Sequence, residues 1–510
     1  MMLNVVDFLE QGALRRFSDK AAIVDGGRVL TFAELAADAR CCATQLVRRL
    51  DKVNQAVAVY LPKCAETVIA NLGIVYSGNA YCNLDIKSPA QRIRNILDKI
   101  GPACAITSRA LAGTLRDIVG PDLEIACVED LLEGEINDAL LQDRLRRVID
   151  TDPLCIINTS GSTGTPKGVA LSHRGTIDFM GWLFATFDFD ESVRIGSLSP
   201  LYFDIYILEL FLCLYKGATL VFVPEQTATF PARLLEFLHD QRISFLFWVP
   251  SIMVAIANLD LLGKYDLAAL ENIFFAGEVF PTKQLNHWRR TLPKARFVNL
   301  YGPIEIHVDC TYFIVDREFD DDEPLPIGRP CRNTDILILD DEGHSCAPGE
   351  RGELCVRGSS LALGYWNDPD KTARAFAQNP LNTRYPERIY RTGDVAWRRE
   401  DGEIFLVGRK DFQIKHMGYR IDLQEIEHQV HCVEGIGQAC VLYNQAVKEI
   451  TLFYEVLSAD VEPAHIRRRL AEIFPKYMIP TAFRSMASLP RNPNGKVDRN
   501  GLAILLSSPQ

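Results

Sequence analysis

The stretch Thr159–His173 reads TSGSTGTPKGVALSH, and its first ten residues hold three glycines, five hydroxyl side chains, one proline and a single lysine. It lies between two apolar runs, LCIIN and GVALS. A Gly/Ser/Thr turn between strands gathers several backbone N–H groups in one concavity. Such nests hold anionic oxygens, the hydroxyls add donors and Lys167 adds a positive charge. Phosphate or carboxylate chemistry is therefore the first expectation. The spacing is not Walker A, which needs Gly-x-x-x-x-Gly-Lys-Ser/Thr. A flexible linker is the plainer alternative, and Pro-Lys-Gly set between apolar strands argues against it. Metal chemistry on protein ligands alone finds little support. The nearest grouping, His428, His431 and Cys432, lacks a fourth ligand at a usual spacing. The 14 cysteines include no Cys-x-x-Cys pair and sit in apolar runs such as CCATQL, YCNLD and LFLCLY. Buried, reduced thiols in a cytoplasmic protein are expected rather than disulfides or a zinc site.

Elements of an α/β chain must position that loop. Short apolar runs (AVAVYLP, ACAIT, GATLVFVP, ISFLFWV, NIFFAGE, RFVNLYG) alternate with helical-period segments such as the one from Glu66 to Tyr76. Near-continuous apolar strands separated by helices imply parallel sheets covered on both faces. From about Asp335 the pattern changes to DILILDDEG, GELCVRG and GEIFLVG, short strands with turn signals that suggest a small antiparallel unit. A charged segment follows, with a helix expected over Asp422 to Cys432, strands over Ala439 to Asn444 and Ile450 to Val456, and a long amphipathic helix from Glu462 to Phe474. A domain boundary is expected at Gly408 to Asp411. The run ISFLFWVPSIMVAIANLDLL from Ile243 is broken by Pro250 and reads as a buried strand (Ser244 to Val249) followed by a helix, not a membrane span. The N-terminus MMLNVVDFLE has no basic region, so no signal peptide is expected. With 510 residues, 48% of them hydrophobic, the chain has ample material for several lobes. A net charge of -11 makes nucleic acid or an anionic membrane a poor first partner.

The loop SGSTGTPKGVALSH resembles the phosphate loop of the adenylate-forming superfamily: acyl-CoA synthetases, luciferases and the adenylation domains of nonribosomal peptide synthetases. Further family-like motifs follow in order: VYSGNAYCNLD at Val75, NLYGPIE at Asn299, GELCVRGSSLALGYWND at Gly352, YRTGDVAW at Tyr390, GRKDFQIKHMGYRIDLQEIE at Gly408 and NPNGKVDR at Asn492. They span essentially the whole chain. The resemblance implies an α/β fold in two parts. Residues 1–409 would form a large N-terminal domain with two mostly parallel sheet subdomains and a small antiparallel β unit. Residues 410–510 would form a small, mobile α+β domain. The implied reaction uses ATP and Mg²⁺: a carboxylate attacks the α-phosphorus, pyrophosphate leaves, and a thiol then displaces AMP.

Roles carried over by this resemblance fall on matching residues. Lys496 resembles the lysine that bridges carboxylate and α-phosphate, a point-charge task suited to an ammonium. Glu305 resembles the magnesium ligand, although Ile304 replaces the usual threonine before it. The loop residues Thr159, Ser160, Gly161, Ser162, Thr163, Gly164 and Lys167 would hold phosphate. Gly277, Glu278, Asn299, Tyr301 and Gly302 would surround the nucleotide, with the Tyr301 ring over adenine and Asn299 on its exocyclic amine. Asp394 would take the ribose hydroxyls, with Arg409 its partner across an interdomain cleft. Asp411 resembles the hinge, and Gly418 the close-approach glycine for the thiol arm.

The segment YFDIYILELF resembles the one whose aspartate grips an amino acid's α-amino group, and Asp204 stands at that position. A carboxylate against an alkyl chain would be costly, which disfavours a fatty-acid substrate; an N-cap for the following helix is the plainer reading of Asp204. The pocket would be Asp204, Ile205, Leu208, Phe247, Phe274, Ala276, Leu300, Val308 and Asp309, closed by Lys496. It suits a small aliphatic amino acid, and its pattern resembles freestanding L-proline adenylating enzymes. Asp309 departs from that pattern and either faces away or signals a basic side chain. Little sequence follows VDRNGL, so the thiol is expected from the phosphopantetheine arm of a separate carrier protein. A D-alanine ligase, an acyl- or aryl-CoA ligase and a silent ATP-binding scaffold stay open as alternatives.

Overall fold

The computed structural model describes residues 2–159, 166–410, 412–456, 461–491 and 497–507. Two compact units emerge, one of Met1–Ile86, Ile100–Ile157 and Gly168–Lys410, the other of Lys87–Lys99, Asn158–Lys167 and Asp411–Gln510.

The first unit contains a nine-stranded sheet. Its parallel centre is built, in spatial order, from Arg296–Tyr301, Asn272–Phe275, Phe245–Trp248, Arg194–Ser197, Thr219–Phe222 and Ala21–Asp25, with antiparallel strands at both edges. The apolar runs are buried on both faces, as parallel strands require. The period of two then sorts them. Phe247, Phe274, Val298 and Leu300 enter one core, while Leu246, Trp248, Ile273, Phe275 and Phe297 enter the other. A second sheet of seven strands has Ala56–Tyr60 parallel to both Ala80–Asn83 and Cys104–Thr107, and includes Pro153–Thr159 and Lys167–Ser172. The change of pattern at Asp335 marks a third sheet. There Thr334–Leu339, Arg351–Gly358, Arg388–Arg398, Phe376–Gln378 and Ile404–Arg409 pair antiparallel throughout.

Pro250 does begin a helix, Pro250–Asn258, directly after the strand Phe245–Trp248. Its fixed φ and missing N–H are harmless in a first turn. Among the described residues no helix is long and apolar enough to cross a membrane.

In the second unit the hairpin Gln413–His416/Tyr419–Asp422 turns on Met417 and Gly418, both at positive φ (53° and 82°). That is the backbone of a two-residue primed turn, which favours glycine. Asp422 caps the helix Leu423–His431, its carboxylate accepting from the Gln424 N–H at 3.0 Å. The strands Ile436–Asn444 and Glu449–Val456 pair antiparallel, with Ala482–Met486 added parallel to the second. The expected long helix from Glu462 to Phe474 is shorter, Pro463–Ala471. Pro475 disfavours a helical backbone at the residue before it, so the chain turns at Phe474 and buries that ring instead.

All 14 cysteines are free thiols and ten of them are buried. His431 has a structural task, its Nε2 accepting from the Ala439 N–H at 3.1 Å. Among the described residues no three metal-capable side chains converge.

Candidate active site

Strand ends of the nine-stranded sheet deliver most of the expected pocket. Phe247, Phe274, Ala276, Leu300 and Val308 are buried in one core together with Ile205 and Leu208 from the helix Ile205–Lys216. Phe274 packs on Phe245 and Phe187, with ring centroids 5.0 and 4.8 Å apart. Phe247 meets Phe274 edge-on at 6.3 Å. Phe247, Phe274 and Leu300 reach one face because each occupies an odd-numbered step of its strand, and a one-residue slip would send them to the opposite core.

Asp204 is the N-cap of that helix, and its Oδ1 accepts from the Ile205 N–H at 3.1 Å. The capping role weighed from sequence is thus real. It leaves further lone pairs on a half-buried carboxylate, so capping and ligand recognition are compatible. Asp309 is 2% exposed, and its charge reaches the buried thiol of Cys331. It does not face solvent.

The motif NLYGPIE spans the end of the strand Arg296–Tyr301 and a short 3₁₀ turn, Ile304–Ile306. Gly302 is required by close approach: a Cβ there would lie 2.5 Å from the Asp309 Cα. Glu305 is fully buried, and the Tyr365 hydroxyl donates to its Oε1 at 2.9 Å. Its backbone oxygen accepts from the Ala362 N–H at 2.8 Å. Ile304, in the place of a hydroxyl residue, packs against the hydrophobic core.

Tyr301, Asp394 and Arg409 form one chain of contacts. The Tyr301 hydroxyl donates to Asp394 Oδ2 at 2.5 Å, and Arg409 Nη1 donates to Oδ1 at 2.7 Å. Burial, followed by the charge of Asp394, pushes the Tyr301 phenol well above its ordinary range, so it acts as a donor. One sequence expectation is corrected here. Arg409 does not reach Asp394 across an interdomain cleft; it is its cross-strand neighbour in the same antiparallel sheet. The pairing of Arg388–Arg398 with Ile404–Arg409 fixes that geometry. Asn299 donates its amide nitrogen to the Pro326 carbonyl at 2.8 Å, so toward an amine it offers only Oδ1. The Glu278 carboxylate accepts from the Ser251 N–H at 3.0 Å, which caps the helix begun by Pro250. Gly277 adopts φ +93°, a backbone suited to glycine.

Thr159 ends its strand and is buried, and Lys167 opens the next one. Ser160, Gly161, Ser162, Thr163, Gly164, Asp411 and Lys496 lie outside the described residues. Gly418 lies in the hairpin turn described above.

Two side chains near Glu305 escaped the sequence reading. Tyr365 stands within the quoted GYWND motif, but nothing in its spacing announces a hydroxyl aimed at Glu305. His307 is fully buried, with Nδ1 2.7 Å from the Ser360 carbonyl and Nε2 3.1 Å from the Ser172 carbonyl. It adopts φ +57°, left-handed for a non-glycine residue. Burial lowers its pKa, opposed by the two carbonyls. The ring ties the turn after Glu305 to two other segments, and Gly175 packs on it so closely that a Cβ would lie 2.1 Å from Cε1.

Comparison with known proteins gives the family of the chain. The family model described as AMP-binding enzyme matches residues 9–366. Among curated relatives, tyrocidine synthase 1 of Brevibacillus parabrevis is 31% identical over 488 residues, covering 95% of this chain and 44% of that protein. Zwittermicin A synthase ZmaJ of Bacillus cereus is 30% identical over 512 residues, covering 99% of this chain and 95% of that protein. The chain thus spans less than half of one relative and nearly all of the other. Among solved structures, holo-PA1221, a nonribosomal peptide synthetase protein with adenylation and carrier domains, superposes with a TM-score of 0.83 at 25% identity, covering 99% of this chain and 84% of that one. The chain belongs to the AMP-binding enzymes, the adenylate-forming ligases.

Proposed function

We propose that the protein activates an amino acid with ATP, forming an aminoacyl-adenylate and pyrophosphate, and passes the aminoacyl group to the phosphopantetheine thiol of a carrier protein. The observation that carries this reading is a carboxylate, Asp204, heading the helix whose Ile205 and Leu208 share an apolar core with Phe247, Phe274, Ala276, Leu300 and Val308. An ammonium group beside a small apolar side chain matches that chemistry. A fatty or aromatic acid has no use for the carboxylate and would bear its desolvation. L-Proline is the first substrate to test, with Phe247 and Phe274 against the ring faces. The burial of Asp309 favours one second reading, a basic side chain.

The other roles follow the resemblance. Asp394 takes the ribose hydroxyls through lone pairs left over from Tyr301 and Arg409. Asn299 Oδ1 accepts from the adenine amine and Tyr301 packs on the base. Glu305, a hard oxygen donor held by the Tyr365 hydroxyl, is the residue that would hold Mg²⁺. When bound, the ion would offset charge on the phosphates. Thr159, Lys167 and the loop between them cradle phosphate. Lys496 approaches the reacting carboxylate and α-phosphate from the domain 410–510, which pivots at Asp411 and later offers Gly418 to the thiol arm.

ATP–pyrophosphate exchange across the amino acids tests the reading. Activity with proline or another small aliphatic amino acid, and none with fatty or aryl acids, is expected. Exchange only with lysine or ornithine would replace proline by a basic substrate. Exchange with acyl or aryl acids alone, or with nothing, would reject amino-acid activation.

A further inference from the structure

Three polar side chains without a task in that reading lie beside the first half of the helix Ile205–Lys216. Glu209 is fully buried, and its Oε2 accepts from the Ser197 hydroxyl at 2.6 Å. Its Oε1 has no hydrogen-bond partner among the described residues. Ser197 ends the strand Arg194–Ser197 and is itself fully buried. Its carbonyl accepts from Lys63 Nζ at 2.6 Å and from the Val223 N–H at 2.9 Å. Lys63 follows the strand Ala56–Tyr60 and stands just ahead of the helix Ala65–Tyr76. Its ammonium lies 5.4 Å from the Phe222 ring centroid. No carboxylate among the described residues is within ion-pair distance of it, although Glu209, Glu225 and Asp25 all act on it electrostatically. Burial pushes Glu209 up and Lys63 down, and each charge partly restores the other.

Such an arrangement is a poor way to gain stability. A buried carboxylate with one oxygen unpartnered costs free energy that a leucine of similar volume would not. What the network supplies is position. Residues 198–204 run from Ser197 to Asp204, and the hydrogen bond from Ser197 to Glu209 ties the strand end to the helix that follows. In the middle of that connection Asn83 Nδ2 donates to the Leu201 carbonyl at 2.8 Å. Each end and the centre are thereby fixed, and the free end of the helix, where Asp204 sits, has one pitch against the sheet.

We propose that Ser197, Glu209 and Lys63 are positioning residues for amino-acid recognition, holding the connection 198–204 so that the Asp204 carboxylate meets the substrate's amino group. The inference rests on the reading of Asp204 given above. The nucleotide-side residues Tyr301 and Asp394 are attached to other strands and Glu305 to the turn Ile304–Ile306, so ATP recognition is independent of the network.

The test is the KM for L-proline, or for whichever amino acid supports the highest exchange, measured beside the KM for ATP in the full chain. Glu209→Leu raises the amino-acid KM about tenfold or more, leaves the ATP KM within about twofold and does not lower the melting temperature. Glu209→Gln keeps an acceptor for Ser197 and recovers much of the affinity. Ser197→Ala, a smaller change, moves KM in the same direction and serves if the leucine variant does not fold. Unchanged amino-acid KM in these variants, or equal changes for both substrates, overturns the proposal. Asp204→Ala separates it from its premise. If Asp204→Ala leaves the amino-acid KM unchanged, the reading of Asp204 falls; if it raises that KM while Glu209→Leu does not, only the positioning network falls.

Discussion

His173 offers a direct test of how burial sets the acid stability of the fold. It opens the helix His173–Thr186 and is 2% exposed. Its Nδ1 accepts from the Val5 N–H at 3.4 Å. Desolvation outweighs the attraction of Asp152 and Asp150 and lowers its pKa from 6.5 to about 4. The folded state holds the ring neutral over a range where the unfolded chain takes up a proton. Stability from this residue is therefore full above pH 6.5 and declines as pH falls from 6.5 toward 4. Linkage gives a loss of roughly 2 kcal/mol between pH 7 and pH 5 for that shift. His173→Gln removes the titration and keeps an acceptor for Val5. Urea unfolding followed by tryptophan fluorescence, run on both proteins at pH 7, 6 and 5, gives the difference free of the other titrating groups. The stability gap between wild type and variant should shift by about 2 kcal/mol in favour of the variant as pH falls. A gap that stays constant with pH would show that the imidazole is solvated or already charged in the fold, and the reasoning would be wrong.

Other expectations follow from single contacts. Tyr365→Phe keeps the ring but removes the donor to the buried Glu305, at a cost of about 1.5–3 kcal/mol in urea unfolding; a loss under about 0.5 kcal/mol would mean that another donor already satisfies the carboxylate. Gly175→Ala forces a Cβ to within 2.1 Å of the His307 ring and should cost at least about 1–3 kcal/mol. The double variant Gly175→Ala/His307→Ala should regain part of that loss, and additive effects in the cycle would exclude the clash. Lys496→Ala should slow pyrophosphate exchange by about two to three orders of magnitude while nucleotide binding persists; near-normal exchange would remove Lys496 from the reacting centre. Asp204→Ala should abolish amino-acid activation and spare ATP binding, whereas lost ATP affinity would leave Asp204 as a helix cap alone.

Much of the fold was legible because its elements have strong local signatures. Near-continuous apolar runs, Pro250 at a helix start and the helical segment from Asp422 each state their structure within a few residues. The site motifs were legible for a similar reason: the NLYGPIE stretch runs off the end of a strand and YRTGDVAW lies within one. The errors and omissions share a different origin. The helix ending before Phe474 depended on Pro475 and on where that ring could be buried. Arg409 was set across a cleft because nothing local shows which strand it will pair with. His307 and Tyr365 were missed because their partners, Ser172, Ser360 and Glu305, are distant in the chain.

The sequence by itself determined the α/β class, the alternation of elements and the family, since each is written in residue type and short-range spacing. Only the tertiary structure decided which core face receives Phe247, Phe274 and Leu300, that Asp394 is held between Tyr301 and Arg409, and that Ser197 joins a buried glutamate on the helix of Asp204 to Lys63. The physical reason is that hydrophobic patterning is local, whereas the register of sheets and the desolvation of charges depend on what the rest of the chain brings alongside.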